Sequence, residues 1–165
     1  MGSGKTTIGV PLAICLHLAF VDNDAQLFER TGTTAAELSA REGIDALHDA
    51  EAGALLAALR APEPAVIAAA ASTITNPMVR DALAGDAFVV WLRAAPTTLA
   101  ARMPQSPTRP FSSEEPSLLV TEQARARDPL FAEIADLVVE SDRSTPADVV
   151  ARILDALPVE LQPGR

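Results

Sequence analysis

The sequence predicts an α/β protein built on a parallel sheet, and three observations carry that reading. Short apolar runs at 19–21, 65–68, 88–92 and 137–139 alternate with longer stretches of helical spacing, the pattern of strands joined by crossover helices. The chain opens with Gly2-Ser3-Gly4-Lys5-Thr6-Thr7 ahead of an apolar helical stretch, an arrangement that aims backbone N–H groups at a bound phosphate. Lys5 is also the only lysine among 165 residues. Arginine serves every other cationic position, but a compact ammonium on a flexible stem is better suited to follow a phosphoryl group as it moves.

Taken in order, residues 6–18 read as the helix that follows the glycine turn. Pro11 predicts a kink there, because an interior proline removes a helix hydrogen bond at a cost of about 3 kcal/mol. A short strand over 19–21 ends at Asp22, and helices follow over 24–30, 34–41 and 44–60, the second capped by Thr33 or Thr34. Residues 65–68 read as a strand and 77–84 as a helix that starts at Pro77. The unbroken apolar run 88–92 reads as a buried strand, with Trp91 in the core rather than stacked on a ligand. A helix over 97–103 leads into the Pro- and Ser-rich stretch 104–116, too polar for core and read as a mobile loop. A helix over 117–134, a strand over 137–139 and a helix over 147–157 complete the pattern. The tail from Pro158 is expected to fray, and neither a repeat nor a second domain is visible.

Composition limits the classes of function. At this length one domain is expected, and 48% apolar residues are ample for a core. A net charge of −9 argues against a nucleic-acid partner, which needs a basic face. The single cysteine, Cys15, excludes an internal disulfide and fits a reducing compartment. The longest apolar run, Val10 to Val21, is broken by His17 and too short to span a bilayer. With no basic-then-apolar leader, a cytoplasmic protein without a membrane partner is expected, and a monomer.

The phosphate motif is short. The full form G-x-x-x-x-G-K-[ST] would place its first glycine before Met1, so the chain carries G-K-T and its approach. Backbone N–H groups of residues 3 to 6 would face a β-phosphate, and the Thr6 hydroxyl would ligate magnesium. The same residues fit the acylation pattern M-G-x-x-x-[ST], a match read as an accident of the glycine loop.

Beyond this motif the chain resembles shikimate kinase, a small P-loop kinase of the nucleoside-monophosphate-kinase type. The resemblance rests on G-S-G-K-T-T-I-G at 2–9, F-V-D-N-D at 20–24, E-R-T-G at 29–32 and A-x-E-L at 35–38. It continues with E-G at 42–43, W-L-R-A at 91–94, T-R-P-F at 108–111, R-D-P-L-F at 127–131 and A-D at 135–136. It implies a three-layer P-loop NTPase fold, one kinase domain over 1–158 with a lid loop at about 103–116, and a frayed tail over 159–165. It implies ATP and Mg2+ as the nucleotide and metal, with Gly2, Ser3, Gly4, Lys5, Thr6, Thr7, Arg102 and Arg143 on the nucleotide and Thr6 and Asp22 on the metal side. Asp24 would orient the acceptor hydroxyl and take its proton. Lys5 and Arg109 would meet the transferring phosphoryl group, and Arg127 would pair with an acceptor carboxylate through its guanidinium fork. In this fold type the strand before the phosphate loop is central. The resemblance therefore implies upstream residues absent from this chain, and two strands facing an empty slot.

Two departures fall on the acceptor side. Leu47-His48 stands where the family has Phe-Arg, and histidine cannot replace a bidentate clamp on a carboxylate. Ala69-Ala70-Ala71 stands where the family has three glycines, and three Cβ atoms would crowd the substrate ring or demand altered dihedrals. His48 and Ala69–Ala71 therefore line an acceptor pocket that is smaller and less cationic. Three readings stay open: a shikimate-type kinase, a kinase of another small polar alcohol, and a nucleotide-binding paralogue acting through a protein partner.

Overall fold

The computed structural model describes residues 2–102 and 116–162. The first helix, α1 (Lys5–Leu16), runs without interruption through Pro11. Pro11 and Thr7, whose carbonyl the proline leaves without its helical donor, both lie on the exposed side, where water can satisfy that carbonyl. The helix ends through His17 in the left-handed region at φ 55°, and the Leu18 N–H closes back on the Ala13 carbonyl at 3.0 Å. That reversal feeds β1 (Ala19–Asp22), then α2 (Asn23–Thr31), α3 (Ala35–Glu42) and α4 (Ile44–Leu59). Thr34 caps α3 in a reciprocal box with Glu37, the S/T-x-x-E pattern at work.

The second half repeats strand and helix: β2 (Ala65–Ala68), a 3₁₀ turn over Thr73–Thr75, α5 (Pro77–Asp86), β3 (Val90–Arg93) and α6 (Pro96–Arg102). After residues 103–115 come α7 (Pro116–Ile134), β4 (Leu137–Glu140) and α8 (Pro146–Ala156). The tail expected to fray carries a 3₁₀ turn over Val159–Leu161, and Gln162 Nε2 donates to the Leu157 carbonyl at 3.0 Å. Among the described residues no helix is long and apolar enough to cross a membrane.

The strands form two separate parallel pairs, not one sheet. β1 lies beside β2, with Ala19 opposite Ala65 and Asp22 opposite Ala68. β3 lies beside β4, with Val90 opposite Leu137 and Arg93 opposite Glu140. Among the described residues neither β2 nor β3 has a strand partner on its other edge, the arrangement expected for a slot at the centre of the sheet. Residues 65–71 and 87–94 instead wall a cleft of about 860 Å³.

That cleft corrects the reading of 88–92. The strand is shorter and begins at Val90, and Val90, Trp91 and Leu92 are half-buried, not buried. Trp91 packs on Phe131 at 5.5 Å between ring centres, with the Arg93 guanidinium 5.4 Å from its ring.

The core follows the same division. Ile8, Leu12 and Leu16 of α1 pack with Val139 and with Val149, Val150 and Ile153 of α8. On the other side, Leu27, Leu38 and Leu47 join α2, α3 and α4, while Ala52, Leu55 and Val79 join α4 to α5.

Candidate active site

The phosphate turn is built from backbone. Gly2 and Gly4 both lie in the left-handed region, at φ 78° and 92°, where a side chain would be strained. A Cβ on Gly2 would also come within 3.1 Å of the Leu99 carbonyl oxygen and 3.2 Å of Arg102 Cβ. Gly4 is the N-cap of α1 and supplies no side-chain cap. The first-turn N–H groups are therefore free to bind an anion, with the helix dipole behind them. Ser3 and Lys5 line the cleft above this turn, and Thr7 is exposed on the first turn of α1.

Thr6 points toward the end of β1. Its Oγ1 donates to Asp22 Oδ2 at 3.4 Å, while Asp22 Oδ1 accepts the Asp24 N–H at 2.9 Å and so caps α2. A hydroxyl and a carboxylate oxygen at this separation form a hard-oxygen donor set that fits magnesium, which binds few protein ligands and retains several waters. Asp24 is exposed on the first turn of α2. Its position is thus fixed by the same carboxylate that meets Thr6.

The nucleotide-side arginines differ in setting. Arg102 Nη1 donates to the Gly2 carbonyl at 3.3 Å, joining α6 to the phosphate turn. Arg143 is exposed in the loop after β4. That loop is held by Ser141 N–H to the Arg93 carbonyl at 2.7 Å and by Ala95 N–H to Asp142 Oδ2 at 3.1 Å. Arg109 and the lid at 103–115 lie outside the described residues.

On the acceptor side, Ala69, Ala70 and Ala71 line the cleft together with Lys5 and Arg127. Among the described non-glycine residues only His17 has a positive φ. The three alanines therefore fit without the altered dihedrals that replacing glycine could have demanded. His48 is placed differently. It opens into a separate hollow of about 320 Å³ with Asp45, Asp49, Ser72, Thr75, Asn76 and Pro77.

One buried carboxylate beside Ser72 was missed by the sequence reading. Glu51 on α4 is 7% exposed and accepts a short hydrogen bond from the Ser72 hydroxyl. Asn23, buried at the start of α2, donates from Nδ2 to the Glu51 backbone carbonyl at 3.3 Å and ties the two helices together. Burial pushes the Glu51 carboxyl up; the Ser72 bond and the charges of His48 and Arg127 oppose this, and Asp24 adds to it. Burial likewise lowers the Arg127 guanidinium from its ordinary value, and Glu51 works against that. The available signal was a lone carboxylate three residues past His48 in an otherwise apolar run, Ala50 to Leu59.

With this geometry in hand, the comparisons with known proteins agree. The family model for shikimate kinase matches residues 1–158. A shikimate kinase of Thioalkalivibrio sulfidiphilus is 35% identical over 154 residues, which is 93% of this chain and 80% of that protein. A shikimate kinase of Pseudomonas fluorescens is 37% identical over 158 residues, 95% of this chain and 91% of that one. Among solved structures, a shikimate kinase from Acinetobacter baumannii in complex with shikimate superposes with a TM-score of 0.87. It is 28% identical, and the match covers 94% of this chain and 87% of that one.

Proposed function

The chain belongs to the shikimate kinase family of ATP-dependent phosphotransferases, and we propose that its acceptor is shikimate, one of whose ring hydroxyls takes the γ-phosphoryl group. One observation carries the site assignment. The Asp22 carboxylate joins Thr6, at the phosphate turn, to the backbone of Asp24, so the phosphate and acceptor ends are set by a single side chain.

The family uses ATP with Mg2+, and the residues that fit them are those of the phosphate turn with Thr6 and Asp22. Held by Thr6 and Asp22, magnesium would supply positive charge that offsets the charge of the phosphates. First-turn N–H groups hold the phosphates, with Gly2, Ser3, Gly4 and Thr7 shaping the turn and Arg102 and Arg143 on its nucleotide side. The Lys5 ammonium stabilises the charge spread over the transferring group. Asp24 accepts a hydrogen bond from the acceptor hydroxyl and takes its proton as the new P–O bond forms and the bond from the γ-phosphorus to the bridging oxygen breaks, ADP leaving with that oxygen. Arg127 pairs with the acceptor carboxylate beside Ala69–Ala71. Arg109 would join Lys5, a role that rests on the family resemblance. One kinase domain over 1–158, acting as a cytoplasmic monomer without nucleic-acid or membrane partners, completes the proposal; the net charge of −9 supports the exclusion of nucleic acid.

The test is shikimate-dependent ADP formation. Saturable turnover that disappears in both Lys5→Ala and Asp24→Ala is expected. ATP binding without shikimate turnover would overturn the acceptor assignment. It would favour a second reading, another small polar alcohol, which histidine at position 48 in place of an arginine clamp supports.

A further inference from the structure

We propose that the cleft between β2 and β3 accepts an extended segment of a different polypeptide, added as a strand parallel to both, apolar along its length and basic just ahead of it. The cleft walls are the inner edges of the two strand pairs, and among the described residues neither edge meets a strand. Both strands run in the same sense toward the phosphate turn. Asp22, opposite Ala68 at the end of β2, accepts from Thr6. Arg102 of α6, the helix that follows β3, donates to the Gly2 carbonyl. One strand laid between them in that sense would extend both ladders at once, and such main-chain bonds are the source of affinity in strand addition.

Size and chemistry agree with a single strand. A segment of about six residues, rising about 3.3 Å each, with about 4.8 Å per strand and about 10 Å between packed layers, takes up about 950 Å³. The cleft holds about 860 Å³. Its two faces are both covered by helices. Val66 packs into the cluster of α1 and α8, whereas its neighbour Ile67 packs into that of α4 and α5. A strand buried on both faces needs a continuous apolar run, not an alternating one. Residues 103–115 do not offer it: Pro104, Pro107 and Pro110 cannot donate to a central ladder.

Charge sets the direction. Glu63 precedes β2, Asp86 precedes β3 and Asp136 accepts the Val89 N–H, and all three line the cleft where the strands begin. Lys5 of the phosphate turn and Arg93, the last residue of β3, line it where they end. Basic residues ahead of the apolar run therefore meet the acidic end, while the opposite placement sets them against Lys5 and Arg93.

The probe is a synthetic peptide, Lys-Lys-Ala-Val-Ile-Ala-Val-Ile with blocked ends, titrated into the full chain at low ionic strength. Trp91, the single tryptophan, lies on β3 and lines the cleft, so its emission reports filling. A saturable change in that emission is expected, with a Tm rise of about 5–10 °C at about a hundredfold excess over Kd. Methylating alternate peptide nitrogens removes the donors to one ladder and keeps the side chains; binding should weaken by at least about tenfold. Moving the lysines to the other end should weaken it several-fold, a difference that added salt removes. Joined ahead of Met1, the same run should occupy the cleft and abolish binding of the free peptide. No saturable change, undiminished binding of the methylated peptide, or binding that survives the joined run would each overturn strand addition in this cleft. Equal affinity for both lysine placements at low salt would overturn the direction. A sedimentation mass of a dimer that falls to that of one chain as peptide is added would make a second copy the occupant and overturn the assignment to a different polypeptide.

Discussion

Replacing Gly9 by alanine sets two known effects against each other at one buried position. Gly9 lies inside α1 against β1, and a Cβ built there would sit 2.5 Å from Phe20 Cε2 and 3.3 Å from Cδ2. Restoring ordinary contact requires the ring, or the strand that carries it, to move by about 1 Å. Alanine in a helix interior is worth about 0.8–1.0 kcal/mol over glycine, whereas overpacking costs about 1–3 kcal/mol. The expected net result is a loss of about 0–2 kcal/mol, read from urea unfolding. Gly53→Ala calibrates the first effect, because Gly53 lies inside α4 with nothing within 4 Å of a built Cβ. That variant gains up to about 1 kcal/mol. Activity provides a second readout. Asp22 follows Phe20 by two residues on β1, and its 3.4 Å contact with Thr6 moves with the strand. A displacement near 1 Å at a reacting site can cost about 100-fold, so kcat in Gly9→Ala should fall by about one to two orders of magnitude. A Gly9→Ala protein as stabilised as Gly53→Ala, with unchanged kcat, would refute the tight contact and the route from it to Asp22.

Three further outcomes follow from the packing and the caps. Leu55→Ala empties a side chain that is 1% exposed and should cost about 2–5 kcal/mol in denaturant unfolding. Thr34→Ala removes the α3 cap at about 1 kcal/mol. Hydrogen bonds from Thr34, first its N–H and then its hydroxyl, hold the Glu37 carboxyl below its ordinary value. The N–H bond survives in Thr34→Ala and only the hydroxyl's share is lost. That share is present above the unfolded carboxyl pKa and lost as pH falls through the folded one. The gap between parent and variant should therefore narrow in acid without closing, because the cap bond from the Glu37 N–H to Thr34 Oγ1 does not titrate. Glu51→Gln should show the opposite profile. The raised carboxyl of Glu51 makes the parent lose stability as pH climbs through the folded pKa, so the variant should be the more stable at alkaline pH and equal in acid, by thermal unfolding at fixed ionic strength.

What the sequence made legible was local. Thr34 rather than Thr33 caps α3 because Glu37 stands three residues on, and both readings lay in five adjacent letters. The β2 bounds are clear because Pro62 and Pro64 precede a short β-branched run. The phosphate turn is legible because glycine is the residue that positive φ requires. Harder to see was anything set by which surfaces meet. Val90–Leu92 read as buried because an apolar run carries no record of the cleft beside it. Glu51 read as one more helix position, since its burial depends on Ser72, 21 residues away. His48 was placed with the alanines by family position, whereas its side chain lines a hollow with Ser72 and Asn76. These outcomes depend on tertiary neighbours, which a period of 3.6 or 2 does not encode.

The division of the strands into two pairs also bears on how copies of the chain behave together. The inner edges of β2 and β3 offer backbone groups that no strand pairs among the described residues. The run Ala65 to Ala71 carries neither charge nor proline. Such a segment at an open edge is a template for strand-to-strand association between molecules. Flanking Glu63 and Asp86 and the overall net charge of −9 hold copies apart by repulsion that added salt screens. Light scattering at rising ionic strength should therefore detect concentration-dependent assembly.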